Sequence, residues 1–233
     1  MEKHYRNISF LFVGLLIIIV AGFYKSYFGQ FPKFTGLPTM AHLHALAFLS
    51  WFALLIIQPI LISKKQFATH RLLGKVSYFL VPFIVFTTLG MEKLSHSKYV
   101  DLPRADYLAG YFTTFYGVTI FLTFYGLAMY YRKKVVYHLR YIVASSLILI
   151  APGLHRLTIN VGIPVPYVDN IPTIFPYLIL TGLIFYDKSK KKTIKPYLVA
   201  LAIFLIFDIF SFYFTKSEVW QWFAGHVLDS FLK

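Results

Sequence analysis

Residues 41–58 read AHLHALAFLSWFALLIIQ, and the apolar segment around them, 39 to 62, holds no Asp, Glu, Lys or Arg. At about 1.5 Å of rise per residue, a helix of this length crosses the ~30 Å hydrocarbon core of a bilayer. With a turn of 100° per residue, His44, Phe48, Trp51, Leu55 and Gln58 fall on one narrow stripe, whereas His42 points nearly opposite to His44. Polar groups facing lipid are costly, so the stripe is expected to face protein.

Working outward, charge and turn residues mark further apolar segments at 8–26, 74–91, 107–131, 139–160, 172–187 and 196–214. A chain of 233 residues that is 58% hydrophobic, 14% charged and has a mean hydropathy of +0.65 is too apolar for a soluble domain. The expectation is an all-α polytopic membrane protein, a bundle of about seven transmembrane helices. Residues 1–214 read as one transmembrane domain. In the remaining 215–233, Val219, Trp220, Trp222, Phe223, Val227, Leu228 and Phe231 recur at helical spacing, as in an amphipathic tail lying in the membrane interface. The run Ile8 to Gly22 follows Lys3 and Arg6 in the manner of a signal peptide, but no soluble domain follows it, so it reads as a retained first helix. The sixth segment carries Pro172 and Pro176, which favour an irregular end.

The formal charge is +14, but the basic residues sit in loops beside the membrane instead of on a soluble face, which argues against nucleic acid as a partner. Alternate loops hold 15 of the 23 Lys and Arg residues against 8 on the other side. The positive-inside rule then puts the N-terminus in the cytoplasm and the C-terminus outside. Cysteine is absent, which excludes disulfides and thiolate chemistry. Together with the short loops, this fits a bacterial inner membrane.

Two groups of residues could carry chemistry. On the outer side, His42 and His44 open the second segment, and His155 and Arg156 follow Pro152 and Gly153 in the fifth, where a kink is expected. Asp208 lies among Phe and Ile in the seventh at a similar depth. An unpaired carboxylate there would take up a proton, whereas pairing with Arg156 would keep both groups charged. If these residues converge, neutral imidazoles of His44, His155 and alternatively His42 could ligate haem iron or a divalent metal, and Arg156 could bind an anionic group. On the cytoplasmic side, His70 and Arg71 open the third segment and His138 and Arg140 the fifth, among Lys64, Lys65, Lys75, Arg132, Lys133 and Lys134. This basic rim is expected to face lipid and bind anionic headgroups. The loop acids Glu92, Asp101, Asp106 and Asp169 could line an outer entrance, and no GxSxG, HExxH, CxxC or Gly-rich phosphate loop is present.

With His70-Arg71-Leu72-Leu73-Gly74-Lys75 following the His44, Trp51 and Gln58 helix, and with His138, Arg140, Pro152 and Arg156 beyond, about half the chain resembles uncharacterised bacterial multi-spanning proteins. Their shared features are a histidine-rich outer helix and an HRxxGK turn. A weaker likeness is to transmembrane b-type cytochromes, which implies haem b held between histidines of neighbouring helices. His70 and His138 stand at helix starts, so the likeness transfers best to an outer haem between His44 and His155.

Three functions follow from these readings. The first is a haem- or metal-binding redox protein using His44, His155, His42 and Arg156, with Asp208 and Arg156 tuning the site. The second is a proton-coupled transporter or small-molecule binding protein using Asp208. The third is an accessory subunit of a membrane complex whose polar residues only join helices.

Overall fold

The computed structural model describes residues 2–95, 104–228 and 230; Asp101, Phe231 and the side chain of Asp106 lie outside the described residues. The chain is all-helical, with 83% of residues in helices and no strand among those described. Among the described residues, four helices are long and apolar enough to cross a membrane: Thr39–Ser63, Phe67–Ser95, Leu108–Tyr130 and Lys195–Phe214. The bent pair Val135–Ile148 and Ala151–Asn160 makes a fifth if it is one span. This is a multi-pass membrane protein in form, divided into two compact units, Met1–Leu94 and Ser95–Lys233.

The first unit holds α1 (Glu2–Gly22), α2 (Thr39–Ser63) and α3 (Phe67–Ser95). Helices α1 and α2 pack closely, burying Phe12 and Leu15 of one and Ala47 and Phe52 of the other, and the Ser9 hydroxyl donates to the Ile56 carbonyl at 3.2 Å. Trp51 and Leu55 are buried and His44, Phe48 and Gln58 half-buried, so the stripe read from the sequence does face protein. Helix α2 ends in a Schellman motif: Lys65 N–H donates to Ile62 at 3.0 Å and Gln66 N–H to Leu61 at 2.9 Å. This places Lys65 at φ 59, in the left-handed region, and turns the chain back into α3.

The second unit holds α4 (Arg104–Tyr130), α5 (Val135–Ile148), α6 (Ala151–Asn160), α7 (Val165–Val168), α8 (Asn170–Ser189), α9 (Lys195–Phe214) and α10 (Glu218–Phe223). Helix α5 is central: α4, α8 and α9 all pack on it, and residues 143–147 are buried without interruption. Small Ala144, Ser145 and Ser146 let its neighbours approach, which matters because inside a bilayer close packing replaces the hydrophobic effect as the driving force. The two serine hydroxyls are satisfied by their own helix, donating to Ile142 at 2.8 Å and Val143 at 2.7 Å.

The kink expected at Pro152 lies just before it. Helix α5 stops at Ile148, and α6 leaves at 41° with Pro152 in its first turn. Proline cannot donate to the carbonyl four residues back and its ring clashes there, so the chain breaks on the N-terminal side while proline itself fits the start of a new helix.

The tail has two faces. Ser217 caps α10, accepting from Trp220 N–H at 3.2 Å, and the Trp220 indole donates to the Leu108 carbonyl at 2.9 Å. Trp220, Ala224 and Leu228 thereby pack on Leu108, Tyr111 and Phe112 of α4. Val219, Trp222 and Val227 remain exposed on the other side, the composition an interfacial segment needs.

Candidate functional site

Two carboxylates stand among the helices of the second unit, and their surroundings differ in kind. Asp187, in the last turn of α8, accepts from Arg140 of α5 through Nε at 2.7 Å and Nη2 at 2.6 Å. The third guanidinium nitrogen, Nη1, donates to the Val136 carbonyl at 2.9 Å, and the Tyr197 ring of α9 lies 5.4 Å from the guanidinium carbon. Both charged residues are 5% exposed. Arg140 therefore does not belong to a lipid-facing rim: the sequence reading is corrected, because a buried guanidinium with an acid across the helix interface neutralises that acid instead of reaching headgroups. His138, also expected on the rim, is half-buried and donates from Nδ1 to the Ala128 carbonyl at 2.8 Å, since a carbonyl can only accept.

Asp208 of α9 has no such neutralisation. Its two oxygens accept one hydroxyl each, from Tyr116 of α4 and Tyr177 of α8. Where pairing with Arg156 was expected, two phenols hold the carboxylate, and Arg156 is exposed and donates to the Pro152 carbonyl of its own helix at 3.1 Å. Among the described residues no basic side chain pairs with Asp208. Aromatic rings pack on the two phenols: Phe207 lies 6.2 Å from the Tyr116 ring, and Phe204 lies 6.1 Å from the Tyr177 ring. Tyr116 in turn reaches Phe112 at 6.3 Å, and Phe112 packs edge-on against Trp220 at 5.1 Å, so an aromatic chain joins the carboxylate to the tail.

The histidines read as ligands divide between the units. In the first, His44 Nδ1 lies 3.3 Å from the Thr87 hydroxyl oxygen of α3. Thr87 uses its one proton on the Ile84 carbonyl at 3.0 Å, so His44 is the donor and its imidazole lone pair sits on Nε2. His42 faces the other way, as its position on the helix requires, with Nδ1 2.9 Å from the Tyr27 hydroxyl and Phe34 edge-on at 5.2 Å. Burial pushes the Tyr27 hydroxyl up from its ordinary pKa, which keeps it a protonated phenol. Gln58 donates to the His70 carbonyl at 3.2 Å, and Arg71 beside it is exposed. In the second unit, His155 Nε2 meets Asp169 at 3.0 Å; Asp169 is 87% exposed at its side chain, so this is a surface contact of small energetic value. Among the described residues, no group of three or more His, Cys, Asp or Glu is arranged to hold a metal ion.

Sequence reading missed three of these partners. Tyr116 and Tyr177 are two of 18 tyrosines, and nothing local sets them apart. The Arg140 and Asp187 pair left a trace: Arg140 shares its face with Val143, Ala144 and Leu147, a buried spacing, and Asp187 is a lone acid before a run of lysines. No family model, no curated protein and no solved structure matches this chain.

Proposed function

We propose that this chain is a membrane protein that binds a small molecule and exchanges a proton at Asp208. One observation carries the reading: an ionisable group in an apolar helix is held by hydroxyls from two other helices and by no counter-charge among the described residues. Ionisable groups inside membranes are costly and are retained where they move protons or bind solutes. Of the helices packed on α9, α4 brings Tyr116 and α8 brings Tyr177 to the carboxylate, while the Arg140 of α5 is committed to Asp187. The reading takes α1 and α8 as spans beside the five long or bent ones, giving seven, with the N-terminus in the cytoplasm by the 15 to 8 bias of basic residues. The exposed Lys64, Lys65, Arg71 and Lys75 would then meet anionic headgroups of an inner membrane.

The test is infrared difference spectroscopy of the purified protein in lipid across a pH step. A carboxyl C=O band that titrates in the wild type and vanishes in Asp208→Asn is the expected result. Its absence from the wild type removes the reading.

A second reading is favoured by the Thr87 contact of His44, because a hydrogen bond that fixes one ring nitrogen is what orients a ligating histidine. It takes His44 as a ligand to haem b or a divalent metal. A Soret band or stoichiometric metal in the purified protein that is lost in His44→Ala supports it; a colourless, metal-free preparation from haem- and metal-replete cells ends it.

A further inference from the structure

We infer that the Asp208 site takes a lipophilic organic cation, a tertiary or quaternary ammonium or phosphonium, in exchange for the proton; this rests on the proton-exchange reading above. Among the described residues the polar groups of the site are one carboxylate and two phenols, so the full charge they offer to a ligand is negative. The apolar part is aromatic, with Phe204 and Phe207 beside the two tyrosine rings. Aromatic faces attract cations through their quadrupole, and the attraction strengthens when water is excluded. An anion would be repelled by the carboxylate, and a neutral ligand would gain nothing from displacing the phenol protons that already satisfy it.

The route to the site selects for lipophilicity. Asp208 is half-buried, and its helix neighbours Leu205 and Ile209 are 52% and 51% exposed, so the flank beside the carboxylate faces out of the protein. In an apolar span that surface is covered by acyl chains. A solute arriving there partitions into the bilayer first, which small hydrophilic cations do not.

Charge balance gives the coupling. One carboxylate holds one proton or one monovalent cation, so each cation bound as ion pair releases one proton from Asp208 to water, and no other reactant is needed. Tyr116 and Tyr177 keep their protons and turn their hydroxyls or ring faces to the occupant.

The probe is tetraphenylphosphonium, compared with tetraphenylborate, which has the same shape and opposite charge, on the full chain in lipid nanodiscs with protein-free discs as background. The expected result is one phosphonium per chain, one proton released, and an affinity that rises about tenfold per pH unit while Asp208 is protonated. No protein-dependent borate binding is expected. Asp208→Asn should lose the phosphonium by more than about a hundredfold, Asp208→Glu should retain it, and Phe207→Leu should weaken it by about three- to thirtyfold, the range of a cation–π contact. The variant-free comparison stands if the asparagine protein fails to fold. Equal binding of the two probes, phosphonium binding without proton release, or unchanged binding in a folded Asp208→Asn overturns the inference. If phosphonium does not bind but the Asp208 carboxyl band titrates, the cation falls and the proton reading survives; if the band is missing too, both fall.

Discussion

At the scale of single residues, the difference between Asp187 and Asp208 lies in what stands opposite. Asp187 has a guanidinium within 2.7 Å and a buried environment, so removing one partner strands a charge where water cannot reach it. Arg140→Ala should therefore cost about 3 to 5 kcal/mol, seen as a lower unfolding midpoint in detergent, whereas Arg140→Met with Asp187→Leu should recover most of the loss. If the double replacement is as damaging as the single one, the pair does more than neutralise itself. Asp208 was visible in the sequence as an acid within an apolar run, because hydropathy exposes any charge out of place. Its partners were not, because a hydroxyl donor 92 or 31 residues away leaves no periodic mark. The expected pairing with Arg156 rested on similar depth alone, and depth is shared by every residue at that level.

At the scale of elements, α2 and α3 meet as an antiparallel ladder: Met40 lies over Gly90, His44 bonds Thr87, and Gln58 lies beside Gly74 and bonds the His70 carbonyl. Thr87 is fully buried, so Thr87→Val keeps the volume while removing the acceptor of His44. A loss of about 0.5 to 1.5 kcal/mol is expected, the net worth of that hydrogen bond, and thermal unfolding followed by tryptophan fluorescence measures it. A Cβ at Gly90 would stand 2.8 Å from the Met40 sulfur, a flexible side chain, so Gly90→Ala should shift the same midpoint by less than Thr87→Val does. Of these elements, the stripe on α2 was legible because 3.6 residue periodicity reports burial directly. The rung partners on α3 were not, because register depends on the three-residue turn after Ser63, whose Schellman geometry uses a lysine where glycine is the usual signal.

At the scale of the whole molecule, hydropathy fixed the class and left the number of crossings open, since α1 is apolar only over Ile8–Gly22 and α8 is not among the helices apolar enough to cross on their own. The natural absence of cysteine makes the question direct. Single cysteines at exposed Lys133 and Lys216 should be labelled by an impermeant maleimide from opposite sides of intact cells and vesicles, the first from the cytoplasm; labelling of both from one side would overturn the proposed topology. The central position of α5 also bears on how the chain enters the membrane. Its 14 residues reach roughly 21 Å, so α5 spans the bilayer core only together with α6, and they include Arg140. Such a segment has little tendency to leave the translocation channel for lipid alone. Biogenesis would then release α4 and α5 together as a hairpin, and synthesis stalled before Asp187 emerges would leave a nascent chain that cellular quality control can recognise as unfinished.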